Sequence, residues 1–484
     1  MEYKTTIGLE IHVELKTDSK MFCNCKNDPL ETGPNINVCP VCMAHPGTLP
    51  VINEQAINKV IKTGLAMDCQ ISSDSKFERK NYFYPDLPKG YQISQYAQPL
   101  CNAGFLDLKD KRIRIERIHL EEDTAKLIHK KDNTLVDFNR AGIPLMELVT
   151  EPDFENGNQV SIFAKELQLI LRYLNVSDAN MEKGQMRLEA NISISKNKIL
   201  GTKVEVKNLN SFRVVKKAID YEIKRQTEVL DRGDKVIQET RGWDNDKTIS
   251  QRSKEEAHDY RYFPEPDLPP LSISKEKIQE LKNQLPELPA YKRQRFIDEY
   301  GLKQDDIEEF VFNKDLSEYF EQVVSEFREW LESKERKDIG EKEYKRLAQV
   351  ASNYMLSDLV GIMGSMSVED KKFLITAENF AEFALLVFQG EITSKIAKMV
   401  LKEMFEKGGD PSEIIKDKGL SKIDDKNELE RVVQEIIKDN SKAVDDFKKG
   451  KQNALQFLIG QAMAKTKGRA KPEELENFFT KALK

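Results

Sequence analysis

Thr6-Ile-Gly-Leu-Glu-Ile-His-Val-Glu-Leu15 alternates without a break. Ile7, Leu9, Ile11, Val13 and Leu15 point one way, and Gly8, Glu10, His12 and Glu14 point the other. A period of two is the signature of an extended strand, here with a core on one side only. Met186–Ile194 repeats the pattern and Lys203–Lys207 is a shorter case, while Gln159–Tyr173 and Phe212–Leu230 carry helical spacing. Strands and helices are therefore mixed up to about residue 270, and this part of the chain reads as α+β with a mixed or antiparallel sheet.

Beyond that point the pattern changes. Six of the 18 prolines fall between Pro264 and Pro289. Proline removes a donor and fixes the backbone, so the run is expected to be an extended connector. The domain boundary is placed near Lys292. Arg346–Val360 and Thr393–Lys407 then show spacing near 3.6, the second stopping at Gly408-Gly409. Leu455, Leu458, Ile459, Ala462 and Met463 form one helical stripe; Leu475, Phe478, Phe479, Ala482 and Leu483 form another after Pro472. The expected domains are 1–292, 293–408 (all-α) and a small helical tail, 409–484.

At 484 residues the chain exceeds one ordinary core. No window approaches 18 uncharged apolar residues, and the start lacks an apolar signal segment, so a cytoplasmic protein without membrane contact is expected. A net charge of −6 excludes a cation-coated, indiscriminate nucleic-acid binder. Residues 441–484 nonetheless carry a local +5, leaving −11 on the remainder. A basic end on an acidic body suits a nucleic acid held at one place, although a solvated helix face carries the same charge.

Cys23-Asn-Cys25 and Cys39-Pro-Val-Cys42 offer four thiolates in two close pairs, the pattern of a tetrahedral structural Zn²⁺ site. A disulfide framework is the rival and conflicts with a cytosolic chain. Cys69 and Cys101 lie apart and read as buried residues. On the first strand, Glu10 and His12 share a face about 7 Å apart. Carboxylate and imidazole begin a divalent-metal site only if acids converge on them; a polar strand face alone is also the ordinary solvent side of a sheet. Partners are sought in His119-Leu-Glu-Glu-Asp123 and Leu145-Met-Glu147. Lys76–Gln95 interleaves basic, aromatic and proline residues, as loops lining a site do, with Lys80 and Lys89 as anion contacts; a packed surface loop reads the same way. The chain has no GxxxxGK[ST] loop and no GxGxxG turn, so any ATP use is neither P-loop nor Rossmann in type.

Taken together, several stretches resemble the B subunit of the aspartyl/glutamyl-tRNA amidotransferase (GatB). They are Ile7–Leu15, Arg79–Asp86, Tyr91–Gln95, His119–Asp123, Val136–Arg140, Glu205–Phe212 and Arg252–Asp267, and the likeness covers nearly the whole chain. The resemblance implies a cradle-like N-terminal domain, a helical domain and a YqeY-like tail that grips tRNA. It implies ATP-dependent phosphorylation, with Mg²⁺, of the side-chain carboxylate of Glu-tRNA(Gln) or Asp-tRNA(Asn). Ammonia then forms the amide; it comes from a partner amidase (glutaminase), the A subunit, braced by a small C subunit. No serine-lysine amidase centre is found here, consistent with that division of labour.

Carried over by motif, Glu10, His12, Glu122 and Glu147 are the expected metal and ATP-site residues, with Glu121 and Glu151 as second-choice ligands. Lys80 and Lys89 are expected along the ammonia route or near phosphates, and Asn208 and Arg213 as nucleotide or acceptor-end contacts. The cysteines match zinc-bearing members. Ala97 stands where the family usually has Asp, and Arg187-Leu-Glu-Ala-Asn191 replaces Arg-Cys-Asp-Ala-Asn, with Glu189 keeping the acid.

Overall fold

The structure, a computed structural model, describes residues 3–197, 199–253, 260–333, 340–423 and 425–483. Residues 254–259, inside the Arg252–Asp267 stretch, lie outside the described residues. The chain divides between Pro289 and Ala290 into two compact units.

The first unit begins with β1 (Lys4–Glu14), α1 (Glu54–Ala66), β2 (Gln70–Ile71), β3 (Asp74–Ser75), β4 (Glu78–Asn81) and β5 (Tyr91–Ser94). It continues with β6 (Cys101–Leu108), β7 (Lys111–Glu122), β8 (Lys126–His129), β9 (Thr134–Asp137) and β10 (Pro144–Thr150). Then come α2 (Gly157–Tyr173), β11 (Met186–Ser195), β12 (Val204–Leu209), α3 (Phe212–Asp231), β13 (Glu239–Asp244) and β14 (Lys247–Ser253). Among the described residues nine strands form one sheet in the order β14-β13-β12-β11-β1-β10-β7-β6-β2, with β1 at its centre. Its pairings are antiparallel except β12 with β13, so the sheet is mixed and the unit α+β.

The alternation in β1 is what seats the sheet. Ile7, Leu9, Ile11, Val13 and Leu15 are at most 1% exposed and join one core with Val160, Phe163, Leu167 and Leu171 of α2 and Val215 and Ile219 of α3. Ile11→Ala would cost on the order of 2–5 kcal/mol, because a central strand cannot collapse onto the void. Asn156 caps α2 through the Gln159 amide and Ser211 caps α3 through that of Val214, so both helices start where polar side chains satisfy their first donors. With its apolar face so covered, β1 turns Glu10 and His12 to the opposite side of the sheet.

The proline-rich run is not a bare connector. It contains β15 (Phe263–Pro264), paired to β4, β16 (Leu271–Ser272), paired to β3, and α4 (Lys275–Asn283). The prolines punctuate these short elements, and Pro264 sits where an edge position tolerates a missing donor. β15, β4 and β5 make a three-stranded sheet, tied to the end of β7 where Ile93 N–H donates to Glu122 Oε1 at 3.0 Å.

Among its described residues the second unit is helical, without strands. Two π-helical segments, Phe296–Tyr300 and Tyr354–Leu359, interrupt it; the second breaks the continuous helix expected over Arg346–Val360. Ser394–Lys407 starts with Thr393 as cap. Near the end, Leu429, Val433, Leu458, Ile459, Ala462, Leu475, Phe479 and Leu483 close a separate core, while Ala482 of the expected stripe is exposed. Among the described residues no helix is long and apolar enough to cross a membrane.

Candidate functional site

Antiparallel register turns alternation into a grid on the polar face. Across one row stand Arg117 of β7, Val149 of β10, Glu10 of β1 and Glu189 of β11. The next row reads His119, Glu147, His12 and Arg187. All of these residues except Val149 border a cavity of about 380 Å³.

His12 Nε2 lies 3.5 Å from Glu121 and 3.6 Å from Glu147, and His119 Nε2 lies 3.2 Å from Glu147. One ligand atom from each of His12, Glu121 and Glu147 falls within 4.8 Å of the other two. Burial alone would keep Glu147 protonated. His119, His12 and Lys80 outweigh it and hold the carboxyl well below its usual range. Two buried carboxylates facing one imidazole make a donor set for a divalent cation, which would offset the cost of burying them.

Glu10 joins a different group. With Glu189 and Glu205 it forms a second cluster of acids within 4.8 Å. Asn191 donates to Glu10 at 2.8 Å, Thr240 to Glu205 at 2.6 Å, and Lys207 Nζ sits 2.7 Å from Glu189. Burial disfavours the Lys207 charge, but Glu189, Glu205 and Glu10 outweigh it and raise its pKa. Two positions along β1 separate Glu10 from His12, so each has its own partners: Glu189 and Glu147 stand in their respective rows, and Glu205 and Glu121 one row further out. Past Glu10 the same face continues into a second cavity, about 370 Å³, lined by Thr6, Gly8, Asn191 and Ser193. Arg117 borders both cavities.

The expected set Glu10, His12, Glu122 and Glu147 is thus not one cluster. Glu122 points away because adjacent strand residues face opposite sides. Its carboxylate takes Lys89 Nζ at 2.6 Å and the Ile93 amide at 3.0 Å, and Glu121 occupies the place beside His12. Lys80 lines the first cavity with Tyr82, Tyr96, Tyr260 and Tyr262. Its ammonium lies 5.0 Å from the Tyr260 ring, and Tyr96 stacks on Tyr262 at 4.5 Å. Burial opposes the Lys80 charge, yet Glu121, Tyr262 and Glu147 raise its pKa. Glu151, Asn208 and Arg213 are absent from the lining of that cavity. Asn208 instead donates to the Trp243 carbonyl at 3.0 Å with a left-handed backbone, φ 64°, and Arg213 is exposed.

Arg117, His119, Arg187, Glu205 and Lys207 were not among the expected site residues. The alternation Arg117-His119-Glu121-Asp123 is the signal that groups the first two with Glu121; Glu205 and Lys207 needed the strand order. Nearby, Glu14 is pushed up to about 8 by burial and by Asp123, which is itself paired to Arg187 at 2.6 Å.

The cysteines converge on the far side of Glu122. All four Sγ atoms lie within 4.8 Å of one another. Cys25 and Cys39 stand 4.0 and 3.9 Å from Cys42, against S···S edges of about 3.8 Å for a tetrahedron with Zn–S near 2.3 Å. A hydrogen bond from Cys23 draws the Cys42 thiol down to about 4, which raises Cys23 in turn. The residues therefore fit a zinc ion. Asp137-Phe138-Asn139 clamps the loop between the pairs: Asn139 accepts from the Asn37 amide at 2.8 Å and donates to the Gly33 carbonyl at 2.6 Å. A cavity of about 200 Å³ joins Cys23 and Cys42 to Lys89 and Glu122. Cys69 and Cys101 are buried elsewhere.

The class these features define is that of GatB/GatE catalytic domains: the family so described matches residues 5–279, and a second, described as a GatB domain, matches residues 340–483. Full-length relatives agree. The B subunit of the aspartyl/glutamyl-tRNA(Asn/Gln) amidotransferase of Carboxydothermus hydrogenoformans is 44% identical, covering 99% of this chain and 98% of its own. Those of Persephonella marina (44%, all of both chains) and Thermotoga maritima (44%, 100% of this chain and 99% of its own) are similar. The chain belongs to the B-subunit family of the aspartyl/glutamyl-tRNA(Asn/Gln) amidotransferase, whose ligase-type activity is exercised in a complex.

Proposed function

We propose that this protein phosphorylates the side-chain carboxylate of Glu-tRNA(Gln) or Asp-tRNA(Asn) with ATP, then lets ammonia displace the phosphate to form the amide. The convergence of His12, Glu121 and Glu147 at the floor of one cavity carries the reading. A carboxylate is a poor electrophile because oxide would have to leave; phosphate leaves readily. Mg²⁺, when bound, neutralises charge on the phosphoryl oxygens. His12, Glu121 and Glu147 would hold one ion; Glu10, Glu189 and Glu205 offer a second acid set toward the same cavity.

The chain's own cations do the remaining electrostatic work. Lys80, Lys207, Arg117 and Arg187 border the cavity and supply positive charge where the phosphates must lie. Glu147, kept ionised, accepts hydrogen bonds and donates none. Lys89 and Glu122, on the other face, are assigned to the route of ammonia from the amidase, the A subunit, held with a small C subunit. Zinc on the four cysteines is structural, since the protein fills all four positions. The tail from residue 409 is assigned to the tRNA body, and the complex to the cytoplasm.

The test is ATP cleavage and amide formation by the protein with its partners on both misacylated tRNAs. The reading expects conversion dependent on ATP, glutamine and Mg²⁺. A tRNA-binding scaffold without catalysis would cleave no ATP, and that result would refute it.

A further inference from the structure

We propose that the ammonium of Lys20 is the built-in counter-charge of the four-cysteine site and sets how tightly that site keeps its zinc. The inference rests on the reading that the cysteines hold zinc. Lys20 is 0% exposed and is among the largest fully buried side chains of the protein. Its Nζ lies 3.8 Å from Cys42 Sγ and 3.3 Å from the Phe138 carbonyl oxygen. Among the described residues these are the ammonium's polar contacts, and neither is a carboxylate. A buried ammonium served by one carbonyl is strongly unfavourable unless an anion is close. Zn²⁺ on four thiolates carries a net charge of −2, so the site is itself that anion.

The local backbone holds this pairing in place. Lys20 N–H donates to the Cys25 carbonyl at 2.9 Å, bracketing the first cysteine pair. Gly142 adopts φ +84°, and a Cβ there would stand 3.6 Å from Cys42 Cβ and 3.7 Å from Lys20 Cδ. The lysine stem and the Cys42 side chain are thus laid against the same glycine. Cys42 Sγ receives a second donor, the Cys39 amide at 3.2 Å. Two donors on one sulfur withdraw charge from it and lower its nucleophilicity toward protons and electrophiles.

The test compares wild type, K20M and K20R, each full-length and with its partner subunits. Zinc content is measured first, then the rate of zinc release to a chromogenic chelator, then Tm with zinc loaded and stripped. K20M should release zinc at least tenfold faster, with K20R closer to wild type. K20M should also lower Tm more in the loaded protein than in the stripped one, because stripping removes part of the negative charge that Lys20 offsets. Equal Tm losses in both states, with release within twofold of wild type, would show a merely packed side chain and overturn the inference. A wild type without zinc would instead overturn the zinc reading beneath it. Should K20M not fold, K20M/C42S is compared with C42S: a double variant no less stable supports the pairing, and a less stable one refutes it.

Discussion

His12 Nε2 and a carboxylate oxygen of Glu147 stand 3.6 Å apart on residues paired directly across β1 and β10. Neither could drift without breaking the ladder, so the spacing is a property of the sheet. His119, His12 and Lys80 keep Glu147 charged at a place where burial would neutralise it. Replacing it with glutamine keeps the shape and deletes the charge. Glu147→Gln should therefore reduce tRNA-stimulated ATP cleavage on the order of 10²-fold or more, with Tm within a few degrees of wild type. Unaltered cleavage would remove Glu147 from the reaction.

Neighbours on one strand make the next comparison. Glu121 faces His12 and Glu122 faces Lys89. Glu121→Gln should raise the Mg²⁺ concentration needed for half-maximal ATP cleavage, since it removes a ligand candidate. Glu122→Gln should leave that Mg²⁺ requirement alone and instead slow glutamine-dependent amidation relative to ATP cleavage. Titrating Mg²⁺ against both variants reads the difference, and identical curves would mean that the two faces are not separate in function.

The strand character of β1, the helices α2 and α3 and the helical second half were legible because each rests on local periodicity. So were the cysteine pairs, whose spacing is itself the chemistry. What was not legible is what depends on register. That Glu10 pairs with Glu189 and Asn191, and His12 with Glu147, follows from which strands flank β1, and no local pattern encodes that order. The choice between Glu121 and Glu122 is a matter of one residue of phase. The π-helical segment at Tyr354–Leu359 escaped too, since an apolar spacing near 3.6 does not reveal a widened turn.

Asp153 gives a pH-dependent readout away from the site. Arg114 donates to it from Nη2 at 2.7 Å, Nε at 3.0 Å and its backbone amide at 2.9 Å. Burial works against the Asp153 charge, but these bonds outweigh it and hold the carboxyl below its ordinary value. Its contribution is thus present above the unfolded-state pKa, about 3.9, and is lost as pH falls through the lower folded value. Asp153→Asn should cost about 1 kcal/mol at neutral pH. The Tm gap between wild type and variant should stay constant from pH 7 to 5 and close toward pH 3. A gap as wide at pH 3 as at pH 7 would contradict the assignment.

Charge at the far end of the chain makes the last prediction. Residues 441–484 hold ten Lys/Arg against five Asp/Glu, and Lys448 and Lys449 are exposed where one helix of the tail core ends. A cation that neutralises a phosphate releases a condensed counterion, so its worth shows in the salt dependence as well as the affinity. If the tail grips the tRNA body, Lys448→Gln with Lys449→Gln should weaken binding of Glu-tRNA(Gln) and Asp-tRNA(Asn) alike. The slope of log K against log salt should fall by about 1–2, while ATP cleavage at saturating tRNA stays at the wild-type rate because the acid clusters are untouched. Filter binding at several salt concentrations checks the slope. An unchanged slope would mean that these lysines face solvent in the complex and that the nucleic acid lies elsewhere.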